Sequence, residues 1–342
     1  MDWTFFEQLL SFDSTSGKER SVAEWLETCI PALSPENRRP QVQRFEVGDG
    51  TLNLLFSWGV PQVVFCTHMD TVPPYLPPVF EEDRICGRGS CDAKGQLFAM
   101  LSACLRLAGE GRDGFALLLL SGEETGSFGA KAFARTAFTA PFLIIGEPTD
   151  GKMVSASKGT KSFDLRFAGE AFHSGYPELG RSAVEAFLQF ANELKAKDFG
   201  IDPELGETTW NIGLVKSDNP QNILSAELTC RLYFRTTFVS DAAVSAWMEE
   251  ASSRMGELPH GGAVLTVSPR GGDTPAKYLT LKGFPSAPAA FGSDAPHLRN
   301  FREKAIFGPG TIRVAHRSDE HILRKDLEEA VIRYIDIYKQ LI

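Results

Sequence analysis

The sequence predicts an α/β protein whose mostly parallel sheet is interrupted by an inserted ferredoxin-like module. Three observations carry this reading. Short apolar runs of the buried-strand type alternate with helical patterns as far as Ile145. Near residue 158 the pattern changes to polar–apolar alternation, the period of a half-exposed strand. The tail then returns to α/β character.

In chain order, Ser16-Gly17-Lys18-Glu19 reads as a capping box. Val22, Trp25, Leu26, Cys29, Ile30 and Leu33 follow it at helical spacing. Extended segments are expected over 42–47 and 52–58. Val63–Cys66, Phe115–Leu120 and Phe142–Ile145 read as buried strands, with Leu97, Phe98, Leu101, Cys104 and Leu105 as a helix face between the first two. In the inserted part, Ser162–Phe167 alternates, and Val184, Phe187, Leu188, Ala191 and Leu194 line one helix face. Strands at about 209–217 and 226–236, one helix at about 240–254 and a strand at 263–269 complete a β-α-β-β-α-β order. Lys304–Phe307 reads as a further buried strand, and Leu323, Leu327, Val331, Tyr334 and Tyr338 as a closing amphipathic helix. The predicted domains are 1–157 with 273–342, and 158–272 inserted between them.

A chain of 342 residues with 43% hydrophobic and 23% charged residues can bury two cores. Its net charge of −9 argues against nucleic acid or an anionic membrane as partner. Met1–Glu7 has no basic, apolar leader pattern, and no apolar run approaches the ~20 residues that span a bilayer. The six cysteines contain no C-x-x-C pair and read as free thiols of a reducing, cytoplasmic compartment; Cys86 and Cys91 are the one pair close enough in sequence to weigh as a zinc or disulfide pair.

In an open α/β sheet, ligands gather at the carboxyl ends of the strands. His68-Met69-Asp70, Asp92, Glu123-Glu124, Glu147 and His316 all fall just after predicted strands or beside them. Imidazole and carboxylate are zinc donors, and one Asp can bridge two ions about 3.5–4 Å apart. Asp70 can fix the tautomer of His68. Of two adjacent glutamates, one can bind metal while the other acts as base. Each piece alone also fits a surface loop, a solvated charge pair, or, for His316 with Asp319 and Glu320, a helix-start charge cluster.

Taken together, His68-Met69-Asp70-Thr71-Val72-Pro73, Gly87-Arg88-Gly89 with Asp92-Ala93-Lys94-Gly95, Ser121-Gly122-Glu123-Glu124 and Gly146-Glu147-Pro148-Thr149 form a specific set in a specific order. The set resembles the co-catalytic zinc deacylases and exopeptidases: acetylornithine deacetylase, succinyl-diaminopimelate desuccinylase, aminoacylase and carboxypeptidase G. The resemblance covers nearly the whole chain. It implies a zinc-hydrolase catalytic domain with the inserted module as lid and homodimer interface. It implies two zinc ions per subunit, with cobalt or manganese suited to the same donors. Asp92 would bridge them, His68 and Glu147 would complete one, and Glu124 and His316 the other. Glu123 would be general base and acid, and Asp70 would orient His68. His173 would help hold the substrate carbonyl, reaching across from the neighbouring subunit in dimeric members; Asn222 and Arg235 would hold the substrate. Two departures stand out: Ala93 where Met is commoner, and no proline in Asn222-Ile223-Leu224-Ser225.

The resemblance implies hydrolysis of an N-acyl amino acid. The Lys158-Gly159, Phe291–Pro296 and Gly308-Pro309-Gly310 segments look closest to acetylornithine deacetylase, an enzyme of arginine biosynthesis. The alternatives are a di- or tripeptidase or carboxypeptidase of the same family, a desuccinylase, whose paired arginines near Lys158 are absent, and a non-catalytic metal-binding homologue.

Overall fold

The computed structural model describes residues 1–48 and 50–342. The chain forms two units, one of Met1–Ser155, Tyr278–Ala287 and Ser293–Ile342, the other of Ala156–Lys277 and Pro288–Gly292.

The helices are α1 Trp3–Ser11, α2 Arg20–Leu33, α3 Lys94–Gly109, α4 Phe128–Phe133, α5 Ala183–Ala196, α6 Asp241–Glu249, α7 Ala251–Met255 and α8 Arg324–Leu341. The principal strands are β1 Gln41–Gly48, β2 Thr51–Trp58, β3 Val63–His68, β4 Phe115–Leu120, β5 Ala140–Ile145, β6 Gly159–Ala168, β7 Thr209–Lys216, β8 Glu227–Thr236, β9 Leu265–Gly271 and β10 Phe301–Ile306.

In the first unit six strands form one sheet in the order β1-β2-β4-β3-β5-β10. The four strands β4, β3, β5 and β10 run parallel, and the β1–β2 hairpin adds an antiparallel edge. Every residue of β2, β3 and β4 is buried, the pattern of strands covered on both faces. Helix α3 packs on β3, β4 and α8. It is buried nearly all round, Lys94 and Gln96 included, and not on one face alone. The aromatic core joins the layers: Phe6 stacks on Phe98 at 4.5 Å, and Phe65 meets Tyr334 edge-on at 5.5 Å.

Two local expectations are corrected here. Residues 16–19 form no capping box. Helix α2 starts at Arg20, the hydroxyl of Ser16 donates to Asp70 at 2.8 Å, and the Glu19 carboxylate accepts from the N–H groups of Gly17 and Gly122 at 2.8 and 3.1 Å. Two of these three bonds are long-range, and none is the reciprocal pair of a capping box. Helix α1 stands where the sequence reading placed no element; Asp2 caps it by accepting from the N–H groups of Thr4 and Phe5.

The second unit has four antiparallel strands in the order β7-β8-β6-β9. Helix α5 packs on β6 and β8, and α7 on β9. Burial alternates along β8, so its apolar side chains Leu228, Cys230, Leu232 and Phe234 face this unit's core. The helix expected over 240–254 is two, α6 and α7, meeting at Glu250.

Candidate metal centre

Parallel register brings the first donors to one rim. His68 pairs with Leu120 across β3–β4, and Cys66 with Ile145 across β3–β5. The loops 121–124 and 146–149 therefore leave the sheet beside His68, at the point where neighbouring strands are joined to either side. A small antiparallel sheet of Val79–Phe80, Arg84–Cys86 and His321–Leu323 adds the other two loops. Its Cys86–His321 pair sets residues 87–92 against residues 316–320.

The imidazole of His68 is buried. Its Nδ1 lies 2.9 Å from the carbonyl of Asp70 and its Nε2 lies 3.2 Å from Oδ1 of Asp92. A carbonyl only accepts, so Nδ1 carries a proton and Nε2 is the atom left to bind. The Nε2 of His316 lies 3.2 Å from Oδ2 of Asp92 and 3.0 Å from Oε1 of Glu124. The two oxygens of Asp92 thus face two different imidazoles. His316 holds this place with φ +64, a left-handed backbone uncommon outside glycine. Asp70 is fully buried. Its carboxylate is 3.4 Å from Nδ1 of His68 and accepts from the N–H groups of Glu123 and Glu124, each at 3.1 Å.

The electrostatics favour positive charge. Burial pushes His68 down, but Asp70 and Asp92 pull it well above the ordinary histidine range. Asp92 and Glu124 pull His316 up to about 10. Burial lifts Glu123 well above the usual carboxylate range; His68 opposes this, and Asp294, Glu124 and Asp92 reinforce it. Burial likewise lifts Glu147, with Asp92 and Glu123 adding to it. Asp294 is raised to about 6, mainly by burial, and its Oδ1 is a buried atom with no hydrogen-bond partner. Crowded acids, an orphaned carboxylate oxygen and two imidazole Nε2 atoms aimed at one carboxylate fit a bound metal cation. Atoms of His68, Asp92 and Glu124 that could each donate to a metal lie within 4.8 Å of one another.

Comparison with known proteins agrees with this chemistry. The sequence profile of Peptidase family M20/M25/M40 matches residues 64–342. The chain belongs to this family. A peptidase M20 domain-containing protein of Schizosaccharomyces pombe is 32% identical, over 96% of this chain and 82% of the relative. A probable carboxypeptidase of Aspergillus terreus is 32% identical, over 97% of this chain and 84% of the relative. Among solved structures, a tripeptidase of Staphylococcus aureus superposes with a TM-score of 0.82 at 20% identity, over 99% and 97% of the two chains. An M20 metallo-carboxypeptidase of Sulfolobus solfataricus gives 0.75 at 16% identity, over 100% and 99%. This M20 chain is therefore a metallohydrolase of amide or peptide bonds. No helix among the described residues is long and apolar enough to cross a membrane.

The other predicted residues of this M20 protein lie in the second unit. His173 forms an isolated bridge with Ile223, and the Ser174 N–H donates to the Asn222 carbonyl at 2.9 Å, so His173 and Asn222 sit on paired segments. The Nδ1 of His173 accepts from the Gly175 N–H at 3.0 Å, which leaves Nε2 as the donor of the neutral ring. Arg235 lies on β8 with its guanidinium 5.1 Å from the Tyr233 ring centre. His260, His297 and His321 are outside the group of donors around Asp92.

Sequence reasoning missed the groups that hold the loops. Glu320 is not part of an exposed helix-start cluster: it is buried, and α8 begins only at Arg324. Gln96 donates from Nε2 to the carbonyls of Cys91 and Pro309, at 3.0 and 2.9 Å. Gly308 lies so close that a Cβ there would meet Gln96 at 2.2 Å. Asp294 stands out in the sequence only as part of the Phe291–Pro296 segment. A buried carboxylate reads in sequence like any surface one, and only its packing separates them.

Proposed function

We propose that this M20 protein is a zinc-dependent peptidase acting on short peptides, with Glu123 as its general base. The observation that carries it is the facing of both Asp92 oxygens to two imidazole Nε2 atoms, with Glu123 three residues beyond the end of β4. In this proposal Asp92 would serve both of two zinc ions, His68 and Glu147 would serve one, and Glu124 and His316 would serve the other. Bound zinc supplies Lewis acidity and lowers the pKa of a water to about 7. Cobalt or manganese would accept the same donors.

Glu123 is the residue that moves the proton. In the metal-free site burial and its acidic neighbours lift its carboxyl above the surface range, the direction that favours proton transfer near neutral pH. It takes a proton as water attacks the amide carbonyl carbon and returns it to the nitrogen of the leaving amine. Asp70 holds the backbone of Glu123 and Glu124 together through two N–H bonds. His173 donates from Nε2 to the substrate carbonyl oxygen as negative charge develops there. Asn222 and Arg235 hold the rest of the substrate. The inserted unit, with Leu214 and Val215 of edge strand β7 exposed at 71% and 53%, serves as lid and homodimer interface. All six cysteines are free, which fits a cytoplasmic protein.

The names of the relatives, carboxypeptidase and tripeptidase, favour peptides over N-acetylornithine. The test is amine release by the zinc-loaded protein from di- and tripeptides, N-acetyl amino acids and N-succinyl-diaminopimelate. Release from peptides is expected. Release from an N-acetyl amino acid alone would replace the peptidase reading by the deacetylase one.

Metal loading should also depend on pH in a fixed direction. His316 has been pulled up to about 10, so its ring is protonated at pH 7 and must lose that proton to bind a metal. Zinc affinity should rise from pH 6 to pH 9, with at least about one proton released per chain at pH 7. Calorimetric titration in buffers of different ionisation enthalpy measures the release. A pH-independent affinity would remove His316 from the donor set.

A further inference from the structure

We infer that Glu320 is the positioning residue that holds the Asp92 loop in register with His316, acting through backbone amides without touching metal or substrate. The inference rests on the metal-site reading above and deepens it.

The geometry is specific. One oxygen of Glu320, Oε1, accepts from three successive loop donors: the N–H groups of Gly89, Cys91 and Asp92, at 3.0, 3.1 and 3.0 Å. The other oxygen pairs with the guanidinium of Arg88, from the same loop. The backbone carbonyl of Glu320 accepts from the Gly87 N–H at 3.0 Å. Both side chains are at most 2% exposed. Every bond from Glu320 therefore ends in residues 87–92, and one of them ends on the amide of Asp92 itself. Glu320 lies four residues after His316, on the same loop. It thus couples the two chain segments whose side chains meet at Asp92 Oδ2.

The loop is a run of turns, neither helix nor strand, with few backbone bonds of its own, such as that from the Ser90 N–H to the Gly87 carbonyl at 3.1 Å. Three N–H groups converging on one carboxylate oxygen substitute for a ladder, and a carboxylate accepts such bonds more strongly than a neutral group does. A loose loop would let the Asp92 carboxylate turn away from one imidazole, with direct cost to metal affinity. The guanidinium of Arg88 balances the charge of Glu320 in a site where a lone buried anion would be costly.

Two double variants separate positioning from bulk stability. Arg88→Met with Glu320→Gln removes the ion pair but keeps an amide oxygen for the three N–H groups. Arg88→Met with Glu320→Leu removes both. Zinc affinity is read by competition with a chromophoric chelator, on protein shown to be folded by near-ultraviolet circular dichroism. The Gln variant should stay within about 3-fold of wild type, while the Leu variant should lose about 10–100-fold, the range for groups that orient metal ligands. Equal affinity in the two variants would overturn the inference. A wild-type protein that binds no zinc would instead overturn the metal-site reading. Hydrogen exchange on metal-free wild type needs no variant to fold: the amides of Gly89, Cys91 and Asp92 should be protected before metal is added, and free exchange at all three would also overturn the inference.

Discussion

Replacing Glu123 by glutamine should lower kcat by about 10²–10⁴-fold, the range for loss of a positioned proton carrier, and leave zinc content unchanged. The reason is a division between neighbours. The Glu124 carboxylate meets His316 at 3.0 Å, while Glu123 shares its site with His68, Asp294 and Asp92 as charges in a buried space. Burial lifts its carboxyl above the surface range in the metal-free site. Glutamine keeps the size and loses the ability to take a proton. Since the amides of residues 123 and 124 are both held by Asp70, the exchange should not disturb the backbone. Steady-state kinetics with atomic absorption for zinc decide the matter. Near-normal turnover would remove Glu123 as base, and loss of zinc would make it a ligand.

Asp92→Ala should abolish turnover and weaken zinc binding by more than the about 10–100-fold typical of groups that only orient ligands. Asp92 is the sole residue of the group whose two oxygens meet both imidazoles, at 3.2 Å each. Without it His68 and His316 lose their common partner, and the remaining acids Glu124 and Glu147 have no carboxylate shared between them. The fold should survive, because the side chain of Asp92 is outside the apolar core formed by β2, β3, β4, α3 and α8. Chelator competition at fixed pH, beside a thermal melt of the metal-free form, separates the two effects. A zinc affinity within 10-fold of wild type would show that the two imidazoles bind without it.

The two substitutions draw on residues that the sequence itself made legible. His68, Glu123, Glu124 and Glu147 stand at or just after apolar runs that read as buried strands, Asp92 stands just before a helix, and His316 stands in the loop after Gly308-Pro309-Gly310. Apolar periodicity is local, so it survives in one dimension: β3, β4 and β5 could be read from their buried runs, and β8 from its alternation. Chain order and the motifs then sufficed for the α/β class and for the family.

Partner choice could not be read that way. Ser16 and Glu19 have the spacing of a capping box, yet they bond to Asp70 and Gly122, 54 and 103 residues away. Glu320 looks like one more acid beside Asp319, yet it closes on a loop 228 to 231 residues earlier. Asp294 looks like an ordinary loop aspartate, yet packing leaves one of its oxygens buried without a partner. By itself the sequence determined most of the elements, their class and the donor types, because those follow from side-chain chemistry and local period. Only the tertiary structure decided which acids face the imidazoles and which hold the loops beneath them, because a carboxylate's role is set by the groups that folding buries beside it.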